Sequence, residues 1–272
     1  MTVAHAEAVT LANSTLSLTL RQCAALSRRA VVATLRQPAA VIPACLFPLL
    51  FTAINAAALS DTAKLPGFPA DSYLQFAVAT VIVQGITFAA SGAGTDLAVD
   101  IQGGFFDRLA SSPVSRTAIL VGRIAGTATL GAFQVVLFVS LLTIFGAEIK
   151  GGIPAVIVLI IGGTLLAIGM GGFSMRIAVT SGSPEVVQAM FPVFFALLFA
   201  SSAFFPRELM ASWFKPVADI NPLSYAVEGL RAVVVEGMSV TAVAEAILIP
   251  AAIAVVSMTW CVMAFRKRVA VS

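Results

Sequence analysis

The residue types that most enzymes use for proton transfer, nucleophilic attack or metal binding are scarce in this chain of 272 residues. It has one histidine, His5, and its three cysteines, Cys23, Cys45 and Cys261, are scattered without the spacing of a metal or redox site. None of the four lysines follows a GxxxxG pattern, the loop that holds nucleotide phosphates. We therefore expect no catalytic residue, no metal site and no ATP site in this chain.

A few uncharged amides lie within long apolar stretches, namely Asn55, Gln84, Gln134 and Gln188. They can form hydrogen bonds between helices or contact a substrate, and the sequence leaves both readings open. No Asp, Glu or Lys lies near the middle of an apolar stretch. Ion-coupled carriers usually place a carboxylate there, so a carrier or channel acting alone is disfavoured.

The elements that position these residues are predicted to be membrane-spanning helices. Hydrophobic residues make up 59% of the chain and charged residues only 11%, against about 25% charged in soluble domains. An unpaired peptide group in lipid is costly, so each long apolar run should be helical. We predict an all-α fold that forms a single transmembrane domain over residues 1–272. Its six spans are expected near 39–60, 73–94, 124–145, 153–175, 186–205 and 242–265.

The distribution of positive charge predicts the orientation. With six spans both termini lie on one side, and that side carries eleven of the sixteen Lys and Arg residues. By the positive-inside rule, both termini should be cytoplasmic. The net charge of +3 is explained by this asymmetry and by anionic lipid, so no nucleic-acid partner is expected.

Residues 15–37 are predicted to form an amphipathic helix at the membrane interface. At helical spacing four arginines fall on one face, with leucine, cysteine and alanine opposite: Arg21, Arg28, Arg29 and Arg36. Pro38 should end this helix before the first span.

The segment between the fifth and sixth predicted spans is too polar to cross a membrane and too apolar to be a free loop. Asn221 and Pro222 are a good N-cap and first-turn pair, so a helix should begin there. We expect two helices, near 207–214 and 223–236, that dip into the outer leaflet as re-entrant elements. On the second, Tyr225, Glu228 and Arg231 are spaced for a local hydrogen bond or ion pair.

Glycines recur where helices should pack closely. Gly122 and Gly126 form a GxxxG pair, and five more lie in the fourth predicted span: Gly162, Gly163, Gly169, Gly171 and Gly172.

Residues 105–123, FFDRLASSPVSRTAILVGR, form a charged island between two apolar runs. Together with SSAFFPRELMASWFKPVADINPLSYAVEGLR at 201–231 and the basic N-terminal helix, it resembles the permease subunits of bacterial ABC-type exporters of the daunorubicin-resistance and polysaccharide-export family. The resemblance extends over nearly the whole chain.

This resemblance implies that residues 105–113 are a coupling helix that docks onto a separate ATPase subunit, which would carry the ATP and Mg. Phe105, Phe106 and Leu109 would supply the apolar contact, and Asp107 and Arg108 its polar rim. It also implies a second permease subunit, identical or different, and a translocation route between the two. The re-entrant helices would close that route on the outer side through a further set of residues: Asn221, Pro222, Tyr225, Glu228 and Arg231.

The function we expect is that of the transmembrane subunit, not itself an enzyme, of an exporter in a bacterial plasma membrane. A hydrophobic drug, an antibiotic or a lipid-like molecule is the first substrate class. A polysaccharide or lipid-linked glycan is the alternative. A wide tunnel lined by aromatic residues would favour the glycan, and a narrow, mainly aliphatic cleft the drug or lipid.

Single-cysteine labelling checks the predicted orientation. An impermeant thiol reagent added outside intact cells should label Ser212→Cys and Ser239→Cys, and should leave Ser115→Cys unlabelled. The reverse pattern would show that the assignment of sides is wrong.

Overall fold

Ten α-helices make up nearly all of the described chain in the computed structural model, which describes residues 19, 21–34, 36–104 and 116–271. They are α1 (21–34), α2 (Pro38–Ala58), α3 (Tyr73–Gln102), α4 (Arg116–Ile144), α5 (Gly152–Ser181), α6 (Pro184–Ala189), α7 (Phe191–Phe199), α8 (Lys215–Ile220), α9 (Pro222–Val235) and α10 (Val240–Val271). Two short 3-10 helices, Ser60–Lys64 and Arg207–Leu209, lie between them. No strand occurs in these ranges, which confirms the all-α prediction.

Among the described residues, five helices are long and apolar enough to cross a membrane: Val41–Ala58, Tyr73–Gln102, Val121–Ile144, Gly152–Ser181 and Val240–Arg268. They coincide with five of the six predicted spans. The remaining prediction, 186–205, falls on α6 and α7. This pair is interrupted at Met190, because Pro192 has no N–H to continue the helical hydrogen bonds. Pro184–Phe199 rises about 24 Å, short of a hydrocarbon core of roughly 30 Å. The sixth span therefore stays a prediction.

Helix α5 lies at the centre of the bundle and packs along α10, α3 and α4. Its glycines divide between two of these neighbours. Gly162, Gly169 and Gly172 face Ala246, Ala254 and Ser257 of α10. Gly163 and Gly171 face Val135 and Thr127 of α4. The predicted role of these glycines in close helix packing is confirmed.

The start of the chain follows the predicted arrangement. The described part of helix α1 reaches residue 34, residues 36 and 37 are not helical, and α2 begins at Pro38, where a proline is tolerated in the first turn. Residues 15–18, 20 and 35 of the predicted amphipathic helix lie outside the described residues.

The segment before α9 differs from the prediction. The helix expected near 207–214 is reduced to the 3-10 turn Arg207–Leu209, and a separate α8 begins at Lys215. Pro216 lies in the first turn of α8 and favours a helix start at that point. The second predicted helix, near 223–236, is present as α9.

Two glycines on α3 provide a matched test of close packing. A Cβ added at Gly94 would lie 2.2 Å from Ser174 Oγ and 2.7 Å from the Ser174 carbonyl oxygen, whereas one at Gly92 meets nothing within 4 Å. Gly94→Ala should force α3 from α5 and reduce the free energy of unfolding by about 1–3 kcal/mol. Gly92→Ala should leave it unchanged or slightly raised. Thermal unfolding in detergent measures both, and equal melting temperatures for the two variants would contradict the packing described.

Candidate functional site

Arg231 of α9 is 5% exposed and lies where three segments of the chain meet. Its guanidinium donates hydrogen bonds to the carbonyl oxygens of Ser202 (3.1 Å), Ala203 (2.9 Å) and Phe76 (3.4 Å), and to Thr80 Oγ1 (3.4 Å). It also lies 3.6 Å from the centroid of the Phe76 ring, within the range of a cation–π contact. Arg231 therefore joins α9 to α3 and to the turn that follows α7.

The beginning of α9 is fixed by Asn221. Its side-chain oxygen accepts from the Leu223 N–H (3.0 Å), as predicted for an N-cap, and its amide donates to the Leu197 carbonyl (2.6 Å). Pro222 occupies the first helical position. One residue thus caps α9 and ties it to α7.

A second group of interacting side chains around α9, the α9 cluster, consists of Arg207, Asp219, Tyr225 and Glu228. Arg207 donates to both Glu228 carboxylate oxygens at 2.6 Å and to Asp219 Oδ1 at 3.1 Å, and it stacks 4.3 Å from the Tyr225 ring centroid. Burial lowers the pKa of Arg207, but its hydrogen bonds to Glu228, Tyr225 and Asp219 and the negative charge of Glu228 outweigh this effect, so this pKa lies above its ordinary value. Arg207 remains charged at any physiological pH.

The pairing expected from helical spacing is wrong. Tyr225, Glu228 and Arg231 do not pair with one another. Glu228 binds Arg207, the Tyr225 hydroxyl donates to the Asp219 carbonyl (2.7 Å), and Arg231 binds groups on other elements. Each of these side chains therefore pairs with a residue outside its own helix and not with one on the neighbouring turn of α9.

Aromatic rings form a continuous group between α2, α3 and α7, which sequence reasoning did not identify. This aromatic cluster comprises Phe47, Phe51, Phe88, Phe191, Phe195, Phe199 and Phe204. Phe88 lies at one end, 4.7 Å from Phe47 and 4.9 Å from Phe191 between ring centroids. The spacing of four between Phe191, Phe195 and Phe199 was the available signal, since residues four apart share a helix face.

The four side-chain amides named in the sequence analysis lie in different environments. Gln134 donates to the carbonyls of Ala44 (3.1 Å) and Gly85 (3.2 Å), and Asn55 donates to the Phe51 carbonyl. Gln188 is exposed. Gln84 is fully buried, and neither its side-chain oxygen nor its nitrogen has a hydrogen-bond partner among the described residues.

The arginines of the amphipathic helix, Arg21, Arg28, Arg29 and Arg36, are exposed, as predicted. The opposite face of α1 packs against the GxxxG pair of α4. A Cβ at Gly122 would lie 2.7 Å from Leu26 Cβ, and one at Gly126 would lie 3.4 Å from Ala30 Cβ. The two glycines therefore seat α1 on α4.

A space under α1, the α1 cavity, opens between this helix and the adjoining ends of α3 and α4. It consists of two adjoining chambers of about 130 and 300 Å³, which share five lining residues: Ala30, Ala33, Gln37, Asp96 and Arg123. Arg123 forms an ion pair with Asp100. Sequence reasoning did not identify Asp96 and Asp100 as part of a site. The available signal was their spacing of four residues, which places them on one helix face, followed by Arg123 early in the next helix.

The five residues assigned to the coupling helix, Phe105, Phe106, Asp107, Arg108 and Leu109, lie outside the described residues. The chain on their N-terminal side ends α3 with a turn at Gly104, which has a positive φ of 65°. That is the conformation that glycine adopts without strain.

Within the described residues, no group of three or more His, Cys, Asp or Glu side chains could hold a metal ion.

Comparison with known proteins agrees with this arrangement of transmembrane helices. The sequence is 32% identical to the daunorubicin resistance ABC transporter permease protein DrrB1 of Streptomyces coeruleorubidus over 214 residues, which are 75% of this chain and 71% of that protein. It is 28% identical to a protein named as transport permease ycf38 of Porphyra purpurea, over 78% of this chain and 73% of that protein. A protein of the same name from Pyropia yezoensis is 29% identical over the same shares.

The profile of a family described as "ABC-2 type transporter" matches residues 21–235, from α1 to the last residue of α9. The matched region contains the α1 cavity, the aromatic cluster, Arg231 and the α9 cluster. This chain therefore belongs to the ABC-2 type transporter family, as a multi-pass transmembrane permease.

Proposed function

We propose that this chain is the transmembrane subunit of an ATP-driven exporter that moves a hydrophobic drug, an antibiotic or a lipid-like molecule out across a bacterial plasma membrane. The family match over residues 21–235 carries this proposal. The sequence has no phosphate-binding loop, so ATP and Mg would be bound by a separate ATPase subunit.

The substrate class is supported by the shape and lining of the α1 cavity. Its two chambers are small, and alanine, valine and leucine form much of the wall. The rings of the aromatic cluster pack on one another instead of surrounding this cavity, apart from Phe88. A narrow, aliphatic space suits a drug or a lipid tail better than a glycan chain.

In this proposal α6, α7 and the turn at 200–205 form a fifth crossing, which brings both termini to the cytoplasmic side. Ser201, Ser202 and Ala203 are buried against the bundle, which supports a path through its interior. The helices α8 and α9 then lie on the outer side as re-entrant elements and close the route between this chain and a second permease subunit, identical or different.

The coupling segment is tested with Leu109→Asp. If residues 105–113 dock into the ATPase, a charge in the apolar contact should prevent assembly, because an unpaired buried charge costs several kcal/mol. Arg108→Ala, at the polar rim, is the matched variant and should have a smaller effect. The measurements are co-purification with the ATPase and substrate efflux, with abundance in the membrane as the control. Normal assembly and efflux by Leu109→Asp would show that this segment is an ordinary loop.

The outer closure is tested with Arg231→Gln. Loss of the guanidinium leaves the Ser202 carbonyl without its Arg231 donor, at a cost of about 1–3 kcal/mol, and leaves the Ala203 carbonyl with the Thr80 hydroxyl as donor. The contact between α9 and α3 should loosen, so that a Cys at the fully buried position Gln84 reacts with an impermeant reagent added outside. Arg207→Gln, whose partners Asp219 and Glu228 can be hydrated, should leave that Cys protected. Equal protection of the Cys in wild-type and Arg231→Gln backgrounds would contradict the closing role.

A further inference from the structure

We propose that the surface where α5 and α10 run side by side near their C-terminal ends binds the headgroup of an anionic phospholipid. This surface, the Arg176 patch, consists of Phe173, Arg176, Trp260, Met263 and Lys267. The proposal uses the orientation given above, in which these ends are cytoplasmic. It adds a bound ligand to the molecule, a lipid of the inner leaflet that is separate from the transported substrate.

Arg176 is held at this surface by an aromatic ring. Its guanidinium carbon lies 5.4 Å from the centroid of the Trp260 ring, within the range of a cation–π contact. Phe173, on the preceding turn of α5, packs edge-on against the same ring at 6.1 Å between centroids. Trp260 is nevertheless 49% exposed. The guanidinium and the ring therefore form one outward-facing unit.

The charge of Arg176 is not neutralised within the protein. Among the described residues, no carboxylate forms an ion pair with it. Glu185, the first acidic residue after α5, instead accepts a hydrogen bond from the Ser183 hydroxyl. A guanidinium at the surface of a membrane span is costly without a counter-ion, and its planar fork matches the oxygens of a phosphate. Arg176 therefore favours a phosphate ligand.

The surroundings of the patch indicate that the phosphate belongs to a lipid. Val256 and Met263, one turn on either side of Trp260, are 54% and 46% exposed. Arg176 lies five residues before Ser181, the last residue of α5, or about 7.5 Å along the helix. An exposed tryptophan beside apolar side chains near the end of a span is typical of the membrane interface. A lipid can place its chains on the apolar residues and its phosphate at Arg176.

A second cation favours a lipid with a net negative charge. Lys267 is exposed and lies two turns after Trp260 on the same face of α10. Side chains on a helix point back towards its N-terminus, so the ammonium group is directed towards the Trp260 level. Arg268 is engaged, since it donates to the Val179 carbonyl at 3.0 Å. Two cations facing one headgroup suit phosphatidylglycerol better than zwitterionic phosphatidylcholine.

Trp260 itself can report the bound lipid. The chain has two tryptophans, Trp213 and Trp260, so Trp213→Phe leaves one fluorophore, at the patch. The full chain with this change is placed in phosphatidylcholine vesicles that contain a fixed share of a second lipid with brominated chains, which quench tryptophan on contact. Quenching by brominated phosphatidylglycerol is compared with quenching by phosphatidylcholine that carries the same chains. Taking the ratio of the two cancels changes in the fluorescence of Trp260 itself.

Brominated phosphatidylglycerol should quench Trp260 more strongly than brominated phosphatidylcholine. Arg176→Gln should lower this preference about fivefold, the usual worth of one basic residue near an anionic lipid surface. Arg176→Lys, which keeps the charge, should retain most of the preference. Arg266→Gln is the matched control, because it removes one exposed charge from the same end of α10 at a position about 120° around the helix from Trp260. It should change the preference little.

Four outcomes would overturn the site. Equal quenching by the two lipids would mean that the headgroup is not recognised. An equal loss of preference in Arg176→Gln and Arg266→Gln would show a general effect of surface charge. Quenching by neither lipid would mean that protein, such as a second permease subunit, covers the patch. Relief of quenching by an excess of inorganic phosphate would indicate a site for a soluble anion.

The assay is independent of the proposed function. Both leaflets of the vesicle have the same composition and no ATPase is present, so neither the orientation nor export affects the result. A failure of the lipid site would leave the export function standing. An Arg176-dependent preference in a chain whose complete transporter exports nothing with ATP would support the site and count against the export function.

Discussion

A guanidinium buried away from water must satisfy its N–H donors with acceptors of the protein, and Arg231 does so with groups from two other segments of the chain. Its partners are the Phe76 carbonyl and Thr80 hydroxyl on α3, and the Ser202 and Ala203 carbonyls after α7. Those two carbonyls lie in a turn, outside any helix, where lipid would leave them unsatisfied. Arg231 therefore makes it possible for a non-helical segment to be buried in this bundle. It also fixes α9 over the ends of α3 and α7.

The rest of the bundle depends on how closely helices approach α5. In lipid the hydrophobic effect contributes little to the association of one apolar helix with another. Close packing and hydrogen bonds must therefore stabilise the contacts between helices. Gly162 lets the Ala246 carbonyl of α10 come within 2.3 Å of where a Cβ would be, and Gly94 does the same for Ser174 between α3 and α5. The GxxxG pair of α4 serves a different helix, α1, and this contact forms one wall of the α1 cavity. Close helix packing at glycines thus forms both the core of the bundle around α5 and one wall of the α1 cavity.

Sequence reasoning predicted the features that depend on local patterns. The apolar runs predicted five helices of spanning length, Pro38 separated α1 from α2, and the cap at Asn221 placed the start of α9. It failed where a residue's partners are distant in the chain. The partners of Arg231 are 28 to 155 residues away, and no spacing on α9 could indicate them. Pro192 in the sequence indicated the interruption at Met190 between α6 and α7, but hydropathy alone favoured one continuous span. Asp96 and Asp100 were passed over because their helix continues two turns beyond the apolar run.

One row of residues on α3 links the separate regions of the molecule. Thr80, Gln84, Phe88, Gly92 and Asp96 follow one another at intervals of four, so they form a continuous ridge. Thr80 contacts Arg231 at one end, Phe88 belongs to the aromatic cluster, and Asp96 borders the α1 cavity at the other. Gln84 lies between Thr80 and Phe88, and its buried amide has no hydrogen-bond partner in the part of the chain that the structure describes. An unpaired buried polar group costs about 1–3 kcal/mol. Water or a substrate hydroxyl that reached Gln84 would recover that free energy. Thr80 and Phe88 lie one helical turn on either side of Gln84, and they are held by Arg231 and by the aromatic cluster. The two contacts that fix the ridge therefore flank the one buried amide on it that would gain from hydration.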